Sequence, residues 1–268
     1  MDRYLILSDL DKTLLNNDSK LSEKTICYLQ KIIDDGHIFS ICTGRPFQAA
    51  FGFFKQINRN IPMVTDNGAN IFFPYNPNMK KISWTISRDS VKSLIKRIKP
   101  YYISSLTNGD NVIYLENRDY LPGWLIHQED GREVIDGKMV DILNEDPTLF
   151  MIYVDNNGET LFEEALKDYK EITFRKWKDQ SNVISYELYS KDASKGKALE
   201  KLKELYNIKN ECTMAFGDER NDLELIIAAH YGVAMKNGNK KVKKMAKYIS
   251  HFNNQHNGVI RFIKKHIK

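Results

Sequence analysis

Four short apolar runs, each ending in a cluster of polar residues and three of them with a glycine there, constrain this chain more than any other feature. Tyr4-Leu5-Ile6-Leu7 runs into Ser8-Asp9-Leu10-Asp11, and "HIFSIC" into Thr43-Gly44-Arg45. "IPMV" runs into Thr65-Asp66-Asn67-Gly68, and "TMAF" into Gly217-Asp218. Runs this short, bounded by turn signals, read as strands buried on both faces, the kind that parallel sheets contain. Helical patterns separate them. In "LSEKTICYLQKIIDDG", Ser22 caps the start, Ile26, Leu29 and Ile33 share a face, and Gly36 stops the helix. Pro46 is placed to open the next helix at its first position. Later, "SKGKALEKLKELYNI" puts Leu199, Leu202 and Leu205 on one side of a helix, and "DLELIIAAH", "YGVAM", "KKVKKMAKYIS" and "GVIRFIKKHIK" continue the alternation. The pattern predicts an α/β fold: a Rossmann-like parallel sheet with helices on both faces. In such sheets the ligand crevice lies beyond the carboxyl ends of the strands, where the polar clusters converge.

Between Lys81 and Tyr189 the grammar changes. The helix "DSVKSLIKRIK" precedes a hairpin, "YYISSL" and "NVIYLEN" joined across Asn108-Gly109-Asp110. Strand "TLFMIYVD", helix "ETLFEEALKDY" and strands "EITFRKW" and "SNVISYELYS" follow. That order suits an antiparallel sheet with helices on one face, an α+β domain inserted into the first. The expected domains are residues 1–81 with 190–268, and 82–189.

Composition narrows the class. At 268 residues with 42% hydrophobic and 28% charged content, the chain has the make-up of an ordinary globular protein, and no apolar run approaches the ~20 residues of a membrane span. Asp2 followed directly by a strand is not a secretory leader. Cys27, Cys42 and Cys212 are odd in number and widely spaced, which argues against disulfides or zinc and predicts buried, inert thiols in a reducing cytoplasm. After Glu224 the chain has ten Lys and Arg and no acidic residue, so residues 1–224 hold a net −5 of the overall +5. A basic tail can bind nucleic acid. Here the lysines alternate with Val242, Met245 and Ala246 at helical spacing and no aromatic–basic interleaving offers a stacking platform, so a solvated helix is favoured.

The chemistry lies in the polar clusters. Two carboxylates as close as Asp9 and Asp11 repel, and raise each other's pKa, unless a cation or a proton intervenes. Together with Asp218 they form an all-oxygen set suited to Mg²⁺. Four clusters, Asp9-x-Asp11-x-Thr13, Thr43-Gly44, Lys195-Gly196 and Gly217-Asp218-x-x-Asn221-Asp222, occur in one order along the chain. In that order, with the insertion between the second and third, the chain resembles the haloacid dehalogenase-like hydrolases, specifically the Cof-type phosphatases with an inserted α/β (type IIB) cap domain.

The resemblance implies roles. Asp9 is the nucleophile and a metal ligand. Asp11 is the general acid/base, its backbone carbonyl also touching the metal, and Asp218 completes the metal set. Thr43, with Gly44 beside it, receives a phosphoryl oxygen, and Lys195, placed before glycine as in the family, is the fixed cation; Lys191 and Lys197 are its nearby rivals. Asn221 and Asp222 hold the metal's waters or orient Lys195. Arg45 is either a substrate-phosphate ligand or a surface cation at a helix start. Two departures from the family stand out. Glu219-Arg220 follows Asp218 where glycine is usual, and Asn257-Gly258 replaces an acidic-glycine pair. An EF-hand reading of Asp9-x-Asp11 fails, because Leu14 stands where glycine is needed and Lys20 where glutamate is needed. The six histidines show no clustered spacing, and Trp124 reads as cap-core packing or a substrate-stacking residue.

The expected function is a cytoplasmic, Mg²⁺-dependent phosphoric monoester hydrolase that acts on a small phosphorylated metabolite, such as a sugar phosphate, through an aspartyl-phosphate. The alternatives are a phosphomutase of the same superfamily and a non-catalytic protein that binds phosphorylated metabolites.

Overall fold

β1 (Leu5–Ser8), the strand that leads into the paired aspartates, is buried along its whole length. The computed structural model describes residues 2–109, 111–121, 132–178 and 182–267. They divide into two units, Met1–Ser83 with Ala193–Lys268, and Trp84–Asp192.

In the first unit the chain builds outward from β1 in one direction through β2 (Ile38–Cys42), β3 (Met63–Thr65), β4 (Asn70–Phe72) and β5 (Ile82–Ser83). Six strands among the described residues of the second unit intervene. The chain then resumes on the other side of β1 with β12 (Thr213–Gly217), β13 (Tyr231–Ala234) and β14 (Tyr248–Ile249). From β14 across to β3 every pairing is parallel, while β4 and β5 pair antiparallel at the edge. Strand order therefore reverses at β1, which makes its carboxyl end the switch point of the sheet.

One face of this sheet carries Ile6, Phe39, Met63, Phe216 and Val233. They pack in one cluster with α1 (Glu23–Asp34), α2 (Phe47–Ile57) and the closing helix α9 (Gly258–His266). Across the sheet lie α6 (Lys195–Tyr206), α7 (Leu223–Ala228) and α8 (Lys240–Met245), where Ile226 and Val242 pack on Ala234. Ser22 caps α1 by accepting the Thr25 N–H, and Gly36 beyond its end has φ +98°, a conformation open to glycine.

Several details differ from the sequence expectation. Pro46 stands just outside α2 rather than at its first helical position, because its ψ of 162° is extended. On α1, Leu29 and Ile32 are the buried apolar residues, while Ile26 and Ile33 are half-buried. Leu205 is exposed although Leu199 and Leu202 are fully buried. Cys27 is exposed on α1, so only Cys42 matches the expectation of a fully buried thiol. No helix among the described residues is long and apolar enough to cross a membrane.

The second unit contains α3 (Arg88–Arg97), β6 (Tyr102–Asn108), β7 (Val112–Glu116), β8 (Glu133–Asp136), α4 (Met139–Ile142), β9 (Leu149–Asp155), α5 (Glu159–Leu166), β10 (Ile172–Lys178) and β11 (Val183–Ser190). Its six-stranded sheet runs β10-β11-β9-β6-β7-β8 and is antiparallel except for the parallel β7–β8 pair. α3, α4 and α5 pack on one face, where Phe162 meets Tyr186 and Leu94 joins Phe150 and Ile152. β8 and α4 are elements that the sequence pattern does not suggest, each only four residues long. Trp124, and Asp110 at the hairpin turn, lie outside the described residues.

Close packing in the first unit depends on Gly68. Its φ is +98°, and a Cβ there would stand 2.2 Å from the Ser194 backbone carbonyl, at the entrance to α6. Gly68→Ala therefore combines a left-handed penalty of about 1–2 kcal/mol with a backbone clash. Thermal unfolding should drop by at least about 5 °C. An unchanged melting temperature would show that the loop does not rest on α6 as described.

Candidate active site

Sheet register brings the polar clusters to one level. Ser8 aligns with Phe216 on β12 and with Ile41 on β2, so Asp9, Gly217-Asp218 and Cys42-Thr43 leave the sheet side by side. The Asp9 N–H continues the ladder to the Phe216 carbonyl at 3.0 Å. Beyond Asp9 the chain makes a tight turn with Lys12 at φ 56°, closed by the Leu15 N–H on the Leu10 carbonyl at 2.9 Å. Buried Leu10, Leu14 and Leu15 pin that turn to the core, leaving Asp9 nearly buried and the Asp11 side chain about half exposed.

Lys195 is the first residue of α6, whose start is capped by Ser194 accepting the Lys197 N–H. Its ammonium is fully buried between two carboxylates, 2.7 Å from Asp9 Oδ1 and 2.6 Å from Asp222 Oδ1. The other Asp222 oxygen accepts the N–H groups of Asp218 at 2.9 Å and Glu219 at 3.0 Å. Asp222 thus holds both the lysine and the loop that carries Asp218. Glu219, where the family usually has glycine, takes part in a reciprocal capping box with Asp222 and accepts from Asn239 at 2.8 Å. Asp218 itself accepts from the Thr13 hydroxyl at 3.2 Å.

A second edge comes from β2 and β3. Thr43 is buried, its N–H on the Val64 carbonyl at 3.0 Å and its hydroxyl accepting the Arg45 N–H at 3.1 Å. Asn67, at φ 56°, donates its N–H to the Thr43 carbonyl at 3.0 Å, and its side-chain oxygen accepts from Asn221 at 2.8 Å. Close approach explains Gly44, since a Cβ there would lie 2.9 Å from that same Asn67 oxygen. The sequence shows a polar turn at 65–68 but assigns Asn67 no part in the site, and it does not pair Thr13 with Asp218. For Asn67 the available signal is the Asp-Asn-Gly run, with its tolerance for left-handed backbone.

Of the residues expected from sequence, Asp9, Lys195, Asp218 and Asp222 form one contiguous group. Asn221 joins the Thr43–Gly44 edge through Asn67. Asp11 and Arg45 pair with each other instead: Arg45 donates Nε to Asp11 Oδ2 at 2.8 Å and Nη2 to Oδ1 at 2.6 Å.

The donor set fits a hard divalent cation. One carboxylate oxygen from each of Asp9, Asp218 and Asp222 lies within 4.8 Å of the others, and all three residues are buried. With all three ionised, their charge exceeds that of the Lys195 ammonium by two, a surplus that a divalent ion neutralises. Asp222 is committed to Lys195 and to backbone amides, so Asp9 and Asp218 are the better placed ligands. The Asp11 carboxylate is outside this cluster. Burial, reinforced by the charges of Asp222 and Asp218 and opposed by Lys195, pushes the Asp9 carboxyl up to about 7. Burial and Asp222 likewise raise Asp218 to about 6. For Lys195 burial works against the charge, but Asp222 and Asp9 overcome it and its pKa is raised.

Comparison with known proteins gives a family match over nearly the whole chain. The sequence profile of the haloacid dehalogenase-like hydrolases matches residues 6–263. A 5-amino-6-(5-phospho-D-ribitylamino)uracil phosphatase of Bacillus subtilis, YitU, is 31% identical over 267 residues, covering 98% of this chain and 97% of its own. A second B. subtilis phosphatase named for the same compound, YwtE, is 25% identical over 295 residues, covering 96% of each chain. In fold, a haloacid dehalogenase-like hydrolase from Bacteroides thetaiotaomicron superposes with a TM-score of 0.80 at 23% identity, covering 98% of this chain and 99% of that one.

The raised carboxyls predict how a cation binds. Without one, the folded protein keeps protons on Asp9 and Asp218 where the unfolded chain, with ordinary carboxyl pKa values near 4, has lost them. These two groups therefore favour folding of the metal-free protein at acid pH, and that contribution is lost as pH rises from about 4 through 6 and 7. Mg²⁺ must displace the same protons. Its apparent affinity should rise at least about tenfold between pH 5.5 and 8 and then level off. Calorimetry at pH 6.5 in buffers of different ionisation enthalpy should detect proton release on binding. An affinity independent of pH would remove Asp9 and Asp218 from the cation site.

Proposed function

The chain belongs to the haloacid dehalogenase-like hydrolase family, and from that premise we propose that it is a Mg²⁺-dependent phosphatase of small phosphorylated metabolites, working through an Asp9 phosphoenzyme. The observation that carries this reading is the buried Asp9–Lys195–Asp222 group beside Asp218, at the switch point of the sheet. Asp9 and Asp218 are the residues that would hold Mg²⁺, and the bound ion would offset the negative charge gathered between carboxylates and phosphoryl group.

Each residue then has a task. An Asp9 carboxylate oxygen bonds to phosphorus as the bond from phosphorus to the ester oxygen breaks. Asp11 gives its proton to the departing alkoxide and later takes one from the water that attacks the phosphoenzyme, which releases inorganic phosphate and restores Asp9. Lys195 keeps Asp9 oriented and places a fixed positive charge against the phosphoryl oxygens, a form of preorganised stabilisation that requires no movement during reaction. Thr43 and the Gly44 N–H would receive another phosphoryl oxygen, with Asn221 held near them through Asn67. Two relatives named for one ribityl-pyrimidine phosphate make a phosphorylated sugar alcohol joined to a heterocycle the first substrate class to test.

Turnover of an aryl phosphate with Mg²⁺ should fall at least about a thousandfold in Asp9→Asn, the scale expected for loss of a covalent nucleophile. Single-turnover reaction in H₂¹⁸O with rapid quenching should place phosphate on the peptide holding Asp9 and the heavy oxygen in released phosphate. In a panel of phosphorylated metabolites, 5-amino-6-(5-phospho-D-ribitylamino)uracil should exceed simple sugar phosphates in kcat/KM by about tenfold or more, a margin that a few specific contacts supply. A wild-type peptide that never carries phosphate would sink the covalent route. A flat panel would sink the substrate class and leave the phosphatase intact.

A further inference from the structure

The Arg45–Asp11 pair sits awkwardly with the task given to Asp11. A general acid/base needs a free carboxylate oxygen, yet both Asp11 oxygens accept from Arg45, at 2.6 and 2.8 Å. The pair is also open to solvent: the Arg45 side chain is 31% exposed and that of Asp11 47%, so water and an arriving anion can compete for the guanidinium.

The Arg45 backbone, in contrast, is fixed. Its N–H bonds the Thr43 hydroxyl at 3.1 Å and its carbonyl accepts the Asp66 N–H at 3.1 Å. The guanidinium lies 5.3 Å from the centre of the Phe53 ring, an apolar surface along which it can turn without losing its support. Arg45 follows directly on Thr43 and Gly44, the residues assigned a phosphoryl oxygen above.

We propose that Arg45 exchanges partners: it holds the Asp11 carboxylate in the empty site and transfers its two-point bond to phosphoryl oxygens when a phosphate group arrives. A phosphate dianion offers the guanidinium fork the same paired acceptors with more charge than a carboxylate. The exchange releases the Asp11 oxygens at the stage when the leaving group needs a proton, and it restrains the acid/base while no substrate is present. Arg45 is thus a substrate-binding residue in one state and a positioning residue for Asp11 in the other. This inference rests on the phosphatase reading above.

Competition for one cation has a measurable signature. Inorganic phosphate, titrated calorimetrically with Mg²⁺ present, is the probe, applied to the unsubstituted protein, Arg45→Ala, Asp11→Asn and the double variant. Where Asp11 competes for Arg45, loss of the arginine should weaken phosphate binding only about two- to threefold. In the Asp11→Asn background Arg45 is free for phosphate, and the same loss should cost about tenfold or more, as for a charge-assisted two-point contact. Arg45→Lys, which keeps the charge and loses the fork, should shift in the same direction by less; it carries the cycle if Arg45→Ala does not fold. Equal costs in the two backgrounds, or a smaller cost in Asp11→Asn, would overturn the exchange. Phosphate that fails to bind even the unsubstituted protein would overturn the phosphatase reading along with it.

Discussion

A lysine ammonium buried between two aspartates is the interaction on which the rest of this site depends. Removing one partner from such a group leaves an uncompensated charge in a low-dielectric interior, a loss of several kcal/mol. The Asp9–Lys195–Asp222 group is therefore close to all-or-none, and it draws its members from three different elements. Asp222 extends the constraint further, since its second oxygen fixes the Asp218 and Glu219 amides. One ammonium thereby sets the position of Asp9 directly and of Asp218 through one intermediary. The remaining negative charge is what a divalent cation would meet.

The sheet supplies the location and the polar group supplies the chemistry. Because β1 is the point from which strand order runs in both directions, the loops after β1, β2 and β12 open beside one another rather than on opposite sides. Apolar packing from Ile6, Phe39 and Phe216 fixes the strands in register, and register fixes where the polar residues emerge. Glu219 shows how local chemistry can stand in for a glycine: it adds a cap to the loop that glycine would leave unmade.

Much of this arrangement is legible in the residue pattern alone. The alternation of short buried strands and helices follows from patterns that repeat with little ambiguity. The roles of Asp9, Lys195, Asp218 and Asp222, in contrast, enter only through the family resemblance, which places Asp11 rather than Asp222 in the metal set. What the pattern does not carry is local or long-range in specific ways. β4, β5, β8 and α4 have two to four residues each, too few for any periodicity to register. Leu205 shares a helical spacing with Leu199 and Leu202 but falls near the end of α6, where the helix has passed the core. Cys27 and Cys42 are chemically identical in sequence, and only the facing of α1 and β2 separates them. The Asn67–Asn221 bond and the Arg45–Asp11 pair join residues 154 and 34 positions apart, a kind of information that a single sequence does not carry.

The strand at the centre of the sheet comes from the start of the chain, while its neighbour β12 begins more than two hundred residues later. During synthesis β1 can find β2 early, but one of its edges stays unpaired until most of the polypeptide has emerged. The inserted unit, whose sheet draws only on its own segment, has no such wait. Closing the first unit requires joining distant segments, a topology associated with slow folding and prolonged exposure of sheet edges. The Asp9–Lys195 contact, spanning 186 positions, cannot form before that closure. Catalytic competence would therefore arrive as one of the last events of folding, and its onset would report a finished chain better than any measure of secondary structure.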